Sequence, residues 1–563
     1  MSNSTHAIFN DAQIAYRAQD WNKCKLALLE LLHQIENHFG GLQLLIETHV
    51  QLQEYQLATE ILEKFLDFYP DEQAMYFYLA DVQSFLQNYE GAIATYHLLL
   101  DRFPNNATGH FNLAQVLGRT RQFSAADSAY RQCLSLNIDG PEEVYLNCAV
   151  LFYRQGAYAK AIAELEQALA IKPDYLDAQF NYATIKEELG EKKVATEIYL
   201  NICQRSPEYE QVFERLANAG AINSTEHPLF LSAKQLLNNS NLSDAQKESL
   251  LFGLGKVAND CANYAQAYEY YEAGNALSRQ RVGDYAAETT TEYFQHLKNT
   301  FNERFIQENC LTNPEADEDS QCFFPVPIFI CGMFRSGSTL IEQVLAKHSH
   351  VTSGGELDFL NELISEHLGD LFDESFELST LEEKLCLVRK TYLLELQSRF
   401  PKAKYVTDKR PDNFVHIGII KLLFPNAKII YTTRRPMDNV LSVFFQHLGA
   451  DLPYANKIED IAHYYIEHTK LMQHWRHLYS ESIFLLEYEK FVDSQRSITE
   501  ALLAYCELIW EESCLQFHDN ESAVATASIW QVRQPLYKTS VDRWRNYQMW
   551  LPDIPKLEAL SSN

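Results

Sequence analysis

A short loop rich in glycine and hydroxyl residues is the first candidate for chemistry in this sequence. It reads Gly332-Met333-Phe334-Arg335-Ser336-Gly337-Ser338-Thr339, between an apolar run rich in β-branched residues (326–331) and a helical-looking segment (340–347). A strand, a glycine-containing loop and a helix N-terminus bind anions, because free backbone N–H groups and the helix dipole converge on one point. The sequence therefore predicts an anion site here.

One missing residue narrows the identity of that anion. The spacing of Gly332 and Gly337 matches a nucleoside-triphosphate P-loop, but Ser338 stands where the P-loop lysine should follow. A kinase or ATPase uses that lysine on the β- and γ-phosphates, with Mg²⁺ held by the next hydroxyl. Arg335 is the only positive charge in this loop, so ATP chemistry is disfavoured. A lone glycine loop is also compatible with a simple tight turn, so the remaining features must decide.

Polar residues follow three further strand-like runs, at residues 403–407, 428–433 and 482–486. These runs alternate with helical segments, as the βαβ units of a parallel sheet require. Ligands of such sheets bind beyond the carboxyl ends of the strands. At those ends the sequence has Asp408-Lys409-Arg410, Arg434-Arg435 and Glu487-Tyr488-Glu489.

Two motifs resemble those of sulfotransferases that use 3′-phosphoadenylyl sulfate (PAPS). Residues 334–339 are similar to the 5′-phosphosulfate loop of that family. The segment Thr433-Arg434-Arg435-Pro436, with Ser442 eight residues after Arg434, is similar to its 3′-phosphate motif. The resemblance extends over roughly residues 325–551, with the motifs in the family's order. It is greatest to tyrosylprotein sulfotransferases and to bacterial proteins that join tetratricopeptide repeats to such a domain.

The resemblance implies a set of donor-binding residues and the product 3′-phosphoadenosine 5′-phosphate (PAP), without a metal ion. Two positions depart from the tyrosylprotein enzymes, because Gln446 stands for an arginine and Arg543 for a lysine. The implied set is Arg335, Ser336, Gly337, Ser338 and Thr339 for the 5′-phosphosulfate, Arg434 and Ser442 for the 3′-phosphate, and Tyr488, Ser528 and Arg543 for further nucleotide contacts.

The resemblance also implies catalytic residues. The acceptor must lose a proton as its oxygen attacks sulfur, and Glu356 resembles the catalytic glutamate of the tyrosylprotein enzymes. A tyrosine phenol has an ordinary pKa of about 10, so a general base would matter for that acceptor. Arg335 and Lys409 would stabilise charge on the sulfuryl and departing phosphate oxygens. Arg410 is an alternative to Lys409, and His447 is an alternative base.

Each of these residues also has a purely structural interpretation. Glu356 could cap a helix, Lys409 could pair with Asp408 or Asp412, and Arg434 could be solvated at a strand end. Their occurrence within one ordered set of motifs favours the functional interpretation.

The first half of the sequence repeats with a period of 34 residues. Small residues mark the period, with one residue inserted near Gly140, and each is followed twelve residues later by an alanine. Such spacing is typical of antiparallel helix pairs that pack closely where they cross. It resembles the tetratricopeptide repeat over at least residues 37–207, with weaker units on both sides and an interruption at residues 218–243. The marker residues are Ala80, Ala114, Ala149 and Ala183, followed by Ala92, Ala126, Ala161 and Ala195.

Composition limits the partners. A formal net charge of −29 disfavours nucleic acid and anionic lipid, so an anionic ligand needs a locally basic pocket. The eleven cysteines show neither a C-x-x-C pair nor zinc-type spacing, which predicts reduced thiols and no metal site. No apolar segment has the length of a signal peptide or membrane span, so we expect no membrane insertion and a cytoplasmic protein.

These observations predict an α-helical tetratricopeptide-repeat solenoid at residues 1–290, a connecting helix and linker at 291–322, and a P-loop-type parallel-sheet sulfotransferase domain at 323–563. An acidic, polar stretch at 313–321 marks the linker. Three functions stay open: sulfation of a protein or peptide tyrosine docked in the repeat groove, sulfation of a small-molecule or glycan hydroxyl, and an inactive scaffold. The repeats could instead only scaffold the enzyme or join it into a homodimer.

Overall fold

The chain folds into two compact units, Met1–Tyr182 and Ala183–Asn563. The computed structural model describes residues 3–209, 211–311, 325–372, 376–448, 452–520, 522–526, 528–553 and 557. The linker expected at residues 313–321 lies outside these ranges. None of the described helices is both long enough and apolar enough to cross a membrane.

The first unit is built from successive helix pairs. It contains six of the eight alanines that mark the 34-residue period, and all eight are at most 1% exposed because they lie where paired helices pack closely. The prediction of a tetratricopeptide-repeat solenoid is confirmed. Its helices are α1 (Asn3–Arg17), α2 (Trp21–Gln34), α3 (Phe39–Gln51), α4 (Tyr55–Phe68), α5 (Gln73–Phe85), α6 (Tyr89–Arg102), α7 (Ala107–Arg119), α8 (Phe123–Ser135), α9 (Pro141–Arg154) and α10 (Tyr158–Ile171). Helix α11 (Leu176–Glu188) runs across the boundary of the two units.

The turn inside each helix pair repeats with the same period. One residue of each turn has a positive φ, between 58° and 83°, so the backbone is left-handed at that point. A left-handed conformation costs a residue with a side chain roughly 1–2 kcal/mol. Only the last two turns use glycine: the series is Gln19, Gln53, Gln87, Arg121, Gly156 and Gly190.

The second unit begins with further helices and then changes to an α/β arrangement. Two of these helices are short: α13 ends at the start of the predicted interruption at residues 218–243, and α14 lies inside it. The helices are α12 (Lys192–Arg205), α13 (Val212–Asn218), α14 (Pro228–Leu236), α15 (Asp244–Asp260), α16 (Tyr264–Val282), α17 (Ala287–Thr300), α18 (Glu303–Asn309), α19 (Ser338–Ala346), α20 (Phe359–Leu368), α21 (Leu381–Arg399), α22 (Ile417–Leu423), α23 (Pro436–Phe444), α24 (Ile458–Leu478), α25 (Tyr488–Asp493), α26 (Gln495–Tyr505) and α27 (Ile529–Val532).

A parallel five-stranded sheet lies at the centre of the α/β part, with strand order β2-β3-β1-β4-β5. The four predicted strands are present, and the predicted fold class is confirmed. Strand β2 has only three residues and was missed. The strands are β1 (Val326–Gly332), β2 (Val351–Ser353), β3 (Tyr405–Lys409), β4 (Lys428–Thr433) and β5 (Ile483–Glu487).

Helices cover both faces of this sheet. Ile328 and Ile330 of β1 belong to one core with α19, whereas Phe329 and Cys331 belong to the opposite core with α21, α22 and α24. Alternate side chains of a strand point to opposite faces, so the nearly unbroken apolar run of β1 is buried on both sides. All strands run in the same direction, so their polar carboxyl ends lie along a single edge of the sheet.

The helix pair α15 and α16 packs directly on the α/β part. Tyr271 stacks on Phe445, with ring centroids 4.1 Å apart, and the Asn275 side-chain amide donates to the Phe444 carbonyl at 2.8 Å. These contacts fix the end of α23, the helix that follows the arginine motif at the end of β4.

Candidate functional site

The loop between β1 and α19 has a glycine at each end, Gly332 after the strand and Gly337 before the helix. At Gly332, φ is +151°, and a side-chain Cβ would lie 2.2 Å from the Thr432 carbonyl oxygen, so only glycine fits. Gly337 is the N-cap of α19, and no described side chain caps that first turn. The free N–H groups and the helix dipole therefore favour an anion here, as predicted from the sequence.

Arg335 is the loop's one cation, and neutral groups hold its guanidinium. Nε donates to Ser442 Oγ at 3.2 Å, Nη1 donates to Ser528 Oγ, and Nη2 donates to Gln531 Oε1 at 2.6 Å. Burial and the nearby charge of Arg434 lower the pKa of Arg335 to about 10. Because these partners leave its charge uncompensated, the guanidinium is well suited to an incoming anion.

Arg434 forms a second cationic position in the same region. Its guanidinium lies over the Tyr488 ring, 5.2 Å from the centroid, and Nη2 donates to the Ser540 carbonyl at 2.6 Å. The Tyr488 hydroxyl is 2.8 Å from Ser540 Oγ. Arg434 is 8% exposed, and its buried Nε has no hydrogen-bond partner among the described residues. A buried charged donor without an acceptor is costly, so this atom favours an anionic ligand.

Glu356 and Lys409 form an ion pair at the end of β3. Lys409 is fully buried, and its ammonium donates to Glu356 Oε1. Neither Asp408 nor Asp412 pairs with Lys409 in the described structure, although the sequence left both pairings open. The Lys409 backbone N–H donates to the Gly355 carbonyl at 2.9 Å, which anchors the loop that carries Glu356.

Buried Glu342 of α19 holds the same loop from the other side. Its Oε1 accepts from the Gly355 N–H at 2.9 Å and from Thr407 Oγ1 at 2.8 Å, and burial raises its pKa. The loop is therefore tied to the helix that follows the anion-binding turn. Glu356 itself is partly exposed, with 36% of its side chain accessible.

The two alternative catalytic residues are engaged elsewhere. Arg410 donates to both carboxylate oxygens of Asp412, at 3.0 and 2.9 Å, and to Asp358. Burial alone would lower the pKa of Arg410, but the Asp412 carboxylate raises it. Arg410 is thus a structural cation whose charge two carboxylates neutralise.

His447 lies against helix α15 and not in the cavity described below. Its Nδ1 is 2.9 Å from Glu214 and its Nε2 is 3.3 Å from Glu248, and the ring stacks on Phe252 at 4.7 Å. Burial alone would lower the pKa of His447, but Glu214 and then Glu248 raise it to about 10. The imidazole is therefore protonated at neutral pH and unsuited to accept a proton.

A cavity of about 230 Å³ at the carboxyl edge of the sheet brings most of the predicted residues together. Four predicted residues do not line it: Ser336, Ser442, Arg543 and Lys409. The Ser336 hydroxyl contacts Thr432 Oγ1 at 2.7 Å, and the Ser442 hydroxyl accepts from Arg335 Nε at 3.2 Å. Arg543 donates to Asn259 Oδ1 at 2.8 Å. Lys409 reaches the cavity only through Glu356. The predicted residues that line it are Arg335, Gly337, Ser338, Thr339, Glu356, Arg434, Tyr488 and Ser528.

A C-terminal segment, here called the strap (residues 522–526 and 528–540), lines much of the cavity. It supplies Thr526, Gln531, Tyr537 and Ser540, none of which the sequence had pointed to. They belong to no motif, and only their proximity to Ser528 could have suggested them. Burial raises the pKa of the Tyr537 phenol, and the positive charges of Arg335, Arg434 and Arg543 partly oppose that rise.

The site can thus hold a ligand with two anionic groups and place it beside a carboxylate. The loop amides with Arg335 make one cationic position, and Arg434 makes the other. Glu356 lines the same cavity and can accept a proton from a hydroxyl bound there. Among the described residues near the cavity, Lys409 and Arg410 are each paired with a carboxylate, whereas no ion pair is described for Arg335 or Arg434. These two arginines therefore make the pocket positive.

In comparisons with known proteins, two separate parts of the chain match two different kinds of family model. Residues 327–512 match the model described as the sulfotransferase family. Three tetratricopeptide-repeat models match residues 73–106, 111–175 and 152–212. An uncharacterized protein of Aquifex aeolicus (strain VF5) is 28% identical over 436 residues, which is 75% of this chain and 55% of that protein. The chain thus spans about half the length of that curated relative.

Two solved structures of sulfotransferase domains are similar to this chain. The domain from the curacin biosynthetic pathway is 18% identical and covers 43% of this chain and 98% of its own, with a TM-score of 0.32. The domain from the Synechococcus PCC 7002 olefin synthase is 21% identical and covers 44% of this chain and 96% of its own, also with a TM-score of 0.32.

Proposed function

We propose that this chain, in which tetratricopeptide repeats precede a sulfotransferase-family domain, transfers the sulfuryl group of PAPS to a hydroxyl acceptor. One observation carries the proposal: a single cavity is lined by the anion-binding turn with Arg335, by Arg434 and by Glu356. An anion site alone fits many ligands. Two cationic positions beside a carboxylate fit a doubly anionic donor and an acceptor that must lose a proton.

The residues present suit PAPS. Its phosphosulfate would bind the turn amides of α19 and Arg335, and its 3′-phosphate would bind Arg434, whose Nε has no described partner. Tyr488 and the strap would contact the rest of the nucleotide. The P-loop lysine that ATP chemistry needs is replaced by Ser338, which disfavours a kinase or ATPase.

The reaction would proceed by attack of the acceptor oxygen on sulfur. An oxygen–sulfur bond forms, the sulfur–oxygen bond to the 5′-phosphate breaks, and its electron pair stays on the phosphate of PAP. Glu356 takes the acceptor proton as that oxygen attacks. Arg335 stabilises the negative charge that grows on the sulfuryl and leaving oxygens, and Lys409 adds its positive charge as Glu356, its ion-pair partner, takes up the proton.

For the acceptor we propose the phenol of a protein or peptide tyrosine that the repeats bind. A carboxylate base suits a phenol, whose ordinary pKa is about 10, better than an aliphatic hydroxyl. Tetratricopeptide repeats are helical solenoids that present an extended binding surface to a protein ligand. A glycan or small-molecule hydroxyl is the alternative acceptor, and an inactive scaffold is the alternative to catalysis.

Two experiments test this proposal. In the first, the midpoint of thermal unfolding is measured with PAP and with ATP and Mg²⁺; stabilisation by PAP is expected, and a preference for ATP would refute the donor assignment. In the second, the protein and ³⁵S-labelled PAPS are offered lysate proteins, tyrosine peptides and small hydroxyl compounds. Label in tyrosine is expected, label only in the small-molecule fraction would exclude the tyrosine acceptor, and no label would favour the scaffold.

Other predictions from the sequence remain proposals. They are the boundaries at residues 290 and 322, a cytoplasmic location, reduced thiols, and homodimer formation through the repeats. The ten described cysteines are all free, which suits a reducing compartment.

A further inference from the structure

We infer that the turn after helix α11 supports the donor site from outside the cavity, and that Trp530 is the positioning residue that holds the strap against Arg335. The inference rests on the proposed function, because it concerns how tightly the cavity binds the donor nucleotide. It assigns a role in donor binding to helical residues that lie more than a hundred positions before the sulfotransferase-family match.

A buried carboxylate anchors Trp530. Glu187, at the end of α11, is 1% exposed, and its Oε1 accepts from the Trp530 indole N–H at 2.8 Å. Its Oε2 accepts from the Tyr199 hydroxyl at 2.9 Å, and Arg215 lies at 3.5 Å. Because α12 and α13 fix the carboxylate, it offers Trp530 a rigid acceptor rather than a mobile surface contact.

A second anchor lies three residues further along the strap. The Arg533 guanidinium donates to the Glu188 carbonyl at 2.6 Å and to the Ser522 carbonyl at 2.9 Å. The Glu188 carbonyl also accepts from the Val524 N–H at 3.0 Å. At Gly190, with φ +83°, an added Cβ would lie 2.6 Å from Arg533 Nη1. The guanidinium of Arg533 therefore occupies the space that a side chain at position 190 would fill.

Residues that accept hydrogen bonds from Arg335 alternate along one short segment with residues that bind the α11 turn. Ser528 and Gln531, three residues apart, accept hydrogen bonds from Arg335. Trp530 and Arg533, also three residues apart, bind the α11 turn. In a helical turn, residues at this spacing lie on the same side, so one side of the segment faces the cavity and another faces the turn.

Loosening the Trp530 anchor should therefore affect the donor site specifically. Without it, Ser528 and Gln531 would hold Arg335 less firmly, and the donor would have to order the strap when it binds. Donor affinity should fall. The rate at saturating donor should change little, because the bound donor orders the strap and restores the hold on Arg335, and Glu356 and Lys409 lie outside this segment.

The test compares Trp530→Phe with Trp510→Phe in the full chain. Trp510 is 37% exposed, lies under Arg496 at 5.3 Å and does not line the cavity, so it controls for loss of an indole. Calorimetry with PAP should show a Kd about 5- to 10-fold higher for Trp530→Phe, with kcat changed less than about twofold and Trp510→Phe like the original chain. Gly190→Ala should shift Kd in the same direction.

A folded Trp530→Phe variant whose Kd for PAP stays within twofold of the original chain would overturn the inference. Failure of the original chain itself to bind PAP would instead refute the proposed donor. In that event hydrogen exchange of residues 528–540 still decides whether Trp530 holds the strap: faster exchange in Trp530→Phe than in Trp510→Phe supports the anchor, and equal exchange overturns it.

Discussion

Replacing Glu356 by glutamine separates its proposed role as proton acceptor from its contact with Lys409. The glutamine side chain would retain an oxygen that can accept from the Lys409 ammonium, but it cannot take the acceptor proton. Loss of a general base typically lowers the rate by about 10²–10⁴-fold, or roughly 3–5 kcal/mol in activation free energy. We therefore expect Glu356→Gln to bind PAP as the original chain does and to lose kcat by that factor.

The alanine variant should behave differently, for a reason that lies in the ion pair. Lys409 is fully buried, and Glu356 is the only side-chain partner described for its ammonium. Glu356→Ala would leave that charge without its carboxylate. Because 36% of the Glu356 side chain is exposed, water can replace part of the lost interaction. We expect a free energy of unfolding lower by about 1–3 kcal/mol, a loss that Glu356→Gln should largely avoid.

The matched control is Asp358→Asn, two residues further along the chain. Asp358 also pairs with a cation, but Arg410 keeps both of its contacts with Asp412 when Asp358 is neutral. Steady-state sulfation of a tyrosine peptide with ³⁵S-labelled PAPS is measured for all three variants, beside urea unfolding. Retention of kcat by Glu356→Gln, together with its loss in Asp358→Asn, would refute the assignment of the base.

Three further perturbations test other parts of the structure. Arg434→Gln should weaken PAP binding about 10- to 100-fold in calorimetry, whereas Arg435→Gln, whose partner is Asp542, should change it less than about twofold. Burial raises the pKa of Asp408 to about 7, so ionisation of this carboxyl opposes folding, and the protein should lose stability as pH rises from about 4 to 7. In urea unfolding at pH 8, Asp408→Asn should therefore be more stable than the original chain by roughly 3 kcal/mol. This advantage should disappear near pH 4. Gln53→Gly should raise the free energy of unfolding by about 0.5–1 kcal/mol, because glycine adopts the left-handed turn at lower cost.

Local patterns in the sequence predicted the repeats and four of the five strands in the described part of the chain. The alanine period reports helix crossings within and between neighbouring repeats, and the strands are apolar runs that end in polar residues. Strand β2 escaped because its three residues, Val351–Ser353, are too few to show a period. The loop, Arg434 and Lys409 could be proposed together because each follows a predicted strand of one parallel sheet. Glu356 follows the missed strand β2, and only the family resemblance suggested it.

The rest of the site depends on packing between distant segments. Gln531 and Arg335 are 196 residues apart in sequence, and no local pattern relates them. His447 follows the arginine motif in sequence, but Glu214 and Glu248 on the helical side determine its protonation. Arg543 matches the family in sequence, yet Asn259 and the ring of Phe445, at 5.3 Å, hold its guanidinium.

Because α11 belongs to both compact units, it limits how the protein can be recombined. A chimera that replaced the whole array up to residue 290 would remove Glu187 and Glu188, and with them the surface on which Trp530 and Arg533 rest. A junction placed ahead of Leu176 would keep that surface with the enzyme. Under the proposal that the repeats bind the acceptor protein, a foreign array grafted at that junction would redirect the transfer to a new target.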